Sequence, residues 1–235
     1  MLPVAVLAGG FATRLKPLTD AIPKSMIEIC GMPFVHWQMK MMSEQGIKDV
    51  VFCLAHRSDM VSDFVGNGSQ YGIKVKYSYD GERQLGTGGA VRNSLPLLGD
   101  RFMVLYGDSY LPIKFQSVED AFLRAKEPAL MTVFLNNARL DSSNADFSEG
   151  LVKKYAKGED SEELKYVDYG LGCYESSIFS PLESPDPLDL AEICTQLASQ
   201  KLLAGYEVRE RFYEIGSFKG IKDFTEYMET SKHVL

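Results

Sequence analysis

Cysteine and histidine are scarce in this chain, and neither is grouped. Cys30, Cys53, Cys173 and Cys194 include no C-x-x-C pair. Neither a metal site nor a disulfide framework is expected, and four dispersed thiols fit reduced core positions in a cytoplasmic protein. His36, His56 and His233 lie far apart with no ligand spacing, and none is assigned a catalytic role. No apolar run approaches the ~20 residues that cross a bilayer. The start reads as a strand with no basic region ahead of it, so no signal peptide is expected. Repeats and low-complexity tracts are missing. Positive charge is not in excess either: the net charge is −7, which argues against nonspecific nucleic-acid binding. What remains is 235 residues, 45% of them hydrophobic, enough to bury the core of one domain or of one with a small appendage.

What the chain does carry is concentrated at its start. Val4-Ala5-Val6-Leu7-Ala8 is an apolar run of strand length, Gly9-Gly10 ends it, and Arg14, Lys16 and Lys24 follow in a basic loop. An α/β protein receives a polyphosphate in this way, at the carboxyl end of its sheet. The glycines admit backbone N–H groups to oxyanions, Arg14 offers a planar fork of donors, and Lys24 is a point charge. The run is neither G-x-x-x-x-G-K-[ST] nor G-x-G-x-x-G, so it is not a Walker or dinucleotide loop. Taken locally, it reads equally as an ordinary turn with solvated cations.

Periodicity lays out the rest. Pro33 opens a helix with a buried stripe of Phe34, Trp37, Met41 and Met42, stopped at Gly46. Strands over 50–54 and 73–77 with a helix over 58–64 give a β-α-β-α-β run, whose crossovers are right-handed and whose sheet is largely parallel. Further strands are expected over 101–106, 129–135, 151–155 (an edge or hairpin strand) and 166–174. Helices are expected over 89–95, 115–125, 188–203 and 218–228, with Gly205 stopping the third and Ser217 capping the last. Residues 181–187 read as a proline-rich surface loop.

Three further places could carry chemistry. Gly86-Thr87-Gly88-Gly89 precedes a helix; it can seat a flat ligand on bare backbone, bring an anion to a helix N-terminus, or simply turn. Gly107-Asp108 ends a buried strand, where a carboxylate beside a polyphosphate can hold Mg²⁺, or cap the following turn. Asp168 either accepts from a ligand hydroxyl or is structural. Lys153, Lys154 and Lys157 read as a solvated face.

The stretch Leu7-Ala8-Gly9-Gly10-Phe11-Ala12-Thr13-Arg14-Leu15-Lys16-Pro17-Leu18-Thr19, followed by Ile22-Pro23-Lys24-Ser25-Met26, resembles the signature of the nucleoside-triphosphate transferases that make nucleotide sugars, and the likeness covers nearly the whole chain. It implies an α/β, three-layer, Rossmann-like fold with a mixed, mainly parallel sheet, that of the nucleotide-diphospho-sugar transferases. One domain would span 1–235, with a nucleotide-binding part at 1–110 and a sugar-binding part at 111–235. The resemblance also implies roles. Leu7, Ala8, Gly9, Gly10 and Thr13 contact the nucleotide, the loop wrapping the β- and γ-phosphates. Arg14 holds the departing pyrophosphate, and Lys24 lies near the α-phosphate. Gly86, Thr87 and Gly88 lie against the base. Asp108 and Glu214 hold Mg²⁺, Ser109 and Tyr110 lie close to the sugar or its phosphate, Lys157 reaches the sugar phosphate, and the strand with Asp168 and Gly170 holds sugar hydroxyls. The chain departs from the family pattern at Ala12, where glycine is usual, at Ala156, where an acid is usual, and at Glu214, where aspartate is usual.

The reaction so implied is nucleotidyl transfer: a nucleoside triphosphate and a sugar 1-phosphate give a nucleotide sugar and pyrophosphate. The nucleophile is already anionic, so positioning and charge compensation replace a general base. The tract from Leu85, Asp168-Tyr169-Gly170 and Tyr213-Glu214-Ile215-Gly216 resembles a bacterial branch near the heptose 1-phosphate guanylyltransferases, which tilts the base toward GTP and the sugar toward a heptose or hexose. Expected partners are these two small molecules, with no nucleic acid and no membrane; a homo-oligomer stays open. Two rivals remain. A glycosyltransferase would carry D-x-D, and Gly107-Asp108-Ser109-Tyr110 lacks the second Asp. A non-catalytic nucleotide-sugar-binding protein is supported by the three departures and opposed by Arg14, Lys24 and Asp108 together.

Overall fold

The structure is a computed structural model that describes residues 1–10, 15–16, 18–19, 22–55, 58–136, 142–158, 161–179 and 187–230. The expectations for Ala12, Thr13, Arg14, His56, His233 and the loop at 181–186 lie outside the described residues. The chain runs β1 (Val4–Leu7), β2 (Glu28–Ile29), β3 (Met32–Pro33), α1 (Phe34–Glu44), β4 (Asp49–Leu54), α2 (Ser58–Val65), β5 (Lys74–Tyr79), α3 (Gly86–Leu98), β6 (Arg101–Tyr106), β7 (Ser109–Tyr110) and α4 (Phe115–Arg124). It continues through β8 (Ala129–Leu135), β9 (Ala145–Ser148), β10 (Leu151–Tyr155), β11 (Tyr166–Glu175), α5 (Leu190–Ser199), β12 (Leu203–Val208), β13 (Tyr213–Glu214) and α6 (Phe218–Thr230).

One nine-stranded sheet, ordered β5-β4-β1-β6-β11-β8-β12-β10-β9, carries the molecule. The ladders among β5, β4, β1 and β6 are parallel, as is β8 with β12. β11 is antiparallel to both β6 and β8, so the sheet is mixed. β1 lies centrally, which is why Val4, Ala5 and Val6 are fully buried.

Alternation along the strands divides the core into two faces. Val4, Val6, Met103 and Leu105 point to the side covered by α1, α2, α4 and α6, where Phe34 meets Phe224 edge-on at 5.3 Å. Ala5, Phe102 and Val104 point to the side covered by α3 and α5. Helices on both faces of one sheet make three layers, as expected. All four cysteines are free, and burial pushes the Cys53 thiol up to about 11 and the Cys194 thiol up to about 12, which keeps both unreactive.

Several boundaries correct the sequence reading. α3 begins at Gly86, not at residue 89, because a distant segment caps its first turn. α5 is shorter than the expected 188–203: Asp189 caps it by accepting from the Ala191 amide at 3.0 Å, and Lys201 stops it at φ 60, with Leu202 N–H returning to Leu197 O at 2.8 Å. Gly205 therefore does not end a helix. It lies inside β12, where a Cβ would meet the Phe147 ring at 2.4 Å. β9, unread in the sequence, forms the hairpin partner of β10 at the sheet edge. Among the described residues, no helix is long and apolar enough to cross a membrane.

Candidate active site

A cleft of about 650 Å³ opens at the carboxyl ends of β1, β4 and β6, lined there by Leu7, Cys53 and Tyr106. Carboxyl ends of parallel strands are where open α/β sheets take ligands. The structure brings Leu7, Ala8, Gly9, Gly10, Lys24, Gly86, Thr87, Asp108, Lys157 and Asp168 to this one cleft. Gly88, Gly170 and Glu214 are not among its lining, and each is turned to a protein partner instead.

Two glycines let the strand ends converge. A Cβ on Gly107 would meet Leu7 O at 2.5 Å, and one on Gly9 would meet Ala55 Cβ at 3.0 Å. The Gly107 amide donates to Leu7 O at 3.0 Å, which sets Asp108 beside the start of the first loop. Lys24 arrives from the other side on a 3-10 turn, Lys24–Met26. Its Nζ donates to Asp108 Oδ2 at 2.8 Å, with the side chains 20% and 30% exposed. Ser109 Oγ is 3.5 Å from Asp108 Oδ1, so one carboxylate oxygen is committed and the other is only loosely held.

The second glycine cluster packs against the segment before α5. The Gly88 and Gly89 amides both donate to Leu188 O, at 2.9 and 3.2 Å. A Cβ on Gly86 would meet that carbonyl at 2.4 Å, and one on Gly88 would crowd Ile193 and Leu188. Two of the first four amides of α3, those of Gly88 and Gly89, are thus satisfied by protein rather than offered to a ligand. Gly86 and Thr87 still line the cleft.

Lys157 reaches the cleft through a residue the sequence reading missed. Its Nζ donates to Asp189 Oδ2 at 3.3 Å, while Thr87 Oγ1 donates to Asp189 Oδ1 at 2.8 Å. Burial works to raise the pKa of Asp189, but the Ala191 amide, the Thr87 hydroxyl and Lys157 outweigh it and hold the carboxyl below its ordinary value. The Lys157 and Asp189 side chains are 64% and 42% exposed; ion pairs so open to water are worth ~0–1 kcal/mol. Lys157 is tethered loosely enough to leave for a phosphate. Asp189 stands before the apolar periodicity of α5, and that capping pattern is the signal that could have found it.

Asp168 is held by protein donors. Tyr106 and Tyr155 hydroxyls donate to Oδ2 at 3.1 and 3.3 Å, and the Gly170 amide donates to Oδ1 at 3.0 Å. Burial raises its pKa despite these bonds, and burial also raises those of both tyrosines. Gly170 takes φ 101 against Tyr106 and Ser109, so its amide serves Asp168 and not the cleft.

Glu214 pairs with Ser109 across the β7–β13 ladder, yet its carboxylate is turned onto the start of α6. It accepts from the Gly216 amide and, at 2.8 Å, from Ser217 Oγ. Ser217 Oγ in turn accepts from the Gly220 amide at 2.9 Å, the expected cap. Among the described residues, no three His, Cys, Asp or Glu side chains gather into a cation cage. Asp108 suits a hard cation that takes one protein carboxylate and completes its shell with phosphate and water; Glu214 accepts one hydrogen bond at each oxygen and does not line the cleft.

These features belong to a known lineage. Residues 4–231 match the Nucleotidyl transferase family, and the chain belongs to it. It is 25% identical over 222 residues to an N-acetylmuramate alpha-1-phosphate uridylyltransferase of Neisseria meningitidis, covering 93% of this chain and 94% of that one. It is 33% identical over 114 residues to a D-glycero-alpha-D-manno-heptose 1-phosphate guanylyltransferase of Campylobacter jejuni, which covers 48% of this chain and 51% of the relative. Among solved structures, HddC from Yersinia pseudotuberculosis complexed with GMP-PN superposes with a TM-score of 0.80 at 22% identity, covering 97% of this chain and 100% of that chain. The inositol-1-phosphate CTP transferase from T. maritima superposes with a TM-score of 0.81 at 18% identity, covering 98% and 97%.

Proposed function

We propose that this protein joins a nucleoside triphosphate to a sugar 1-phosphate, releasing pyrophosphate. The observation that carries this reading is the Lys24–Asp108 pair at the junction of β1 and β6, where a cation donor and a carboxylate face the glycine turn at Gly9-Gly10. Gly9 and Gly10 receive phosphate oxygens, with Thr13 and Arg14 assigned to the β- and γ-phosphates. Gly86 and Thr87 support the base. Lys24 exchanges Asp108 for the α-phosphate as the nucleotide enters. Lys157 leaves Asp189 for the sugar phosphate and aims its oxygen at the α-phosphorus. Asp108 would hold Mg²⁺, which would offset charge growing on the α-phosphate. Glu214 holds the start of α6 and keeps β13 against the Asp108 turn.

GTP and a heptose or hexose 1-phosphate are the proposed substrates, supported by the guanylyltransferase relative. UTP is the second reading, favoured by the uridylyltransferase relative that matches along almost the whole chain. The test is pyrophosphate release with Mg²⁺ across four nucleoside triphosphates and a panel of hexose and heptose 1-phosphates. Release confined to GTP with one sugar supports the first reading, and release confined to UTP supports the second. Silence throughout, with triphosphate binding intact, overturns both and leaves a binding protein.

A further inference from the structure

The turn that bears Asp108 is held from three directions. β1 supplies Leu7 O to the Gly107 amide at 3.0 Å, and Ile215, after β13, donates its amide to Asp108 O at 3.0 Å. The third hold comes from beneath, from a polar side chain with no exposure at all: Gln38, on α1. Its Nε2 donates to Ser109 O at 2.8 Å and to Tyr106 O at 3.1 Å. Those carbonyls bracket Gly107-Asp108 on either side. Both are acceptors only, so chemistry fixes which end of the amide faces the turn. The other end, Oε1, is buried without a partner. A buried amide that uses both donors and leaves its oxygen orphaned is unfavourable as packing; a methionine would fill the same space without that defect. The donors are what the site gains.

We infer that Gln38 is a positioning residue that clamps the β6–β7 turn and so fixes Asp108 against Lys24. The inference rests on the reading above, in which that pair meets the reacting phosphate. Gln38 touches no substrate. With the clamp removed, the turn keeps its two outer holds but loses the one that spans it.

The experiment compares wild type with Gln38→Met, which has the same length but no donor, and Gln38→Glu. Three quantities are read: melting temperature, kcat and nucleotide KM, and the acylation rate of Lys24 by an amine-reactive reagent followed by mass spectrometry, with exposed Lys74 as reference. Gln38→Met is expected to melt within a few degrees of wild type and to label Lys24 several-fold faster, with Lys74 unchanged. Its kcat is expected to fall about tenfold to a hundredfold while KM stays within about threefold, the pattern of misplaced reacting groups. Gln38→Glu can donate one hydrogen as the acid and none as the carboxylate. Its kcat is expected to fall with rising pH where the wild-type curve is flat. Wild-type kcat and Lys24 labelling in folded Gln38→Met overturns the inference. Should that variant not fold, a Gln38→Glu pH profile parallel to wild type overturns it. Should no substrate pair turn over in wild type, the enzymatic reading fails, while Lys24 labelling still decides the clamp.

Discussion

Asp108 divides its two oxygens between Lys24 and the cleft, and removing its charge tests both halves. Asp108→Asn keeps the shape and the turn but weakens the hold on Lys24 and on the Mg²⁺ proposed there. Turnover is expected to fall about a hundredfold to a thousandfold, the scale of losing a preorganised electrostatic contact, with sugar 1-phosphate KM within a few-fold. Steady-state kinetics checks this, and unchanged turnover would sink the assignment. Asp168 makes a separate prediction in stability. Burial raises its folded pKa above the unfolded value, so its contribution is full below about pH 4 and is lost as pH rises through the folded pKa. Asn at this position does not ionise. The difference in Tm between Asp168→Asn and wild type is expected to move in the variant's favour as pH rises above about 4, and a pH-independent difference would refute it. At this scale Asp108 was legible because it follows a glycine at the end of a buried strand, and Lys24 because it closes the basic stretch that carries the family signature. Asp189 was not, since its partners Lys157 and Thr87 lie 32 and 102 positions away.

Elements were legible where periodicity alone decides them. The apolar runs of β1 and β6 and the stripe of α1 needed no knowledge of neighbours. α3 is the counterexample: its start depends on the Leu188 carbonyl, about a hundred residues on, and glycine spacing alone suggested a ligand. That dependence predicts an asymmetry between glycines. Gly86→Ala puts a Cβ against Leu188 O at φ 76 and is expected to cost about 2–4 kcal/mol in urea unfolding, combining backbone strain with a clash. Gly10→Ala has nothing within 4 Å of its added carbon and is expected to stay within about 0.5 kcal/mol. Equal losses would show that Leu188 does not govern the first turn. The end of α5 was hidden for a related reason. Lys201 adopts the left-handed conformation that sequence reading reserves for glycine.

Over the whole molecule, charge is the quantity that decides how a polyphosphate is held. Among the described residues lining the cleft, the carboxylates Asp80, Asp108, Asp168, Asp189 and Glu192 outnumber the ammonium groups of Lys24 and Lys157, within a chain of net charge −7. A nucleoside triphosphate entering such a cleft needs added positive charge. Chelating divalent cations is expected to weaken triphosphate binding by at least about tenfold in calorimetry. Equal affinity with and without chelator would assign the whole compensation to the first loop. The α/β class was legible at this scale, but the place of β11 was not: nothing local says that a strand from the second half enters antiparallel between β6 and β8.

That entry, together with the Leu188 carbonyl seated on α3, bears on how such a protein could be recombined. A chimera that takes residues 1–110 from this chain and the remainder from a relative would exchange more than a sugar site. It would hand the first turn of α3 to a foreign loop, and one full edge of β6 to a foreign strand. Grafted specificity therefore calls for a seam that keeps β11 and residues 187–190 with residues 1–110, so that only the outer strands and their loops are traded.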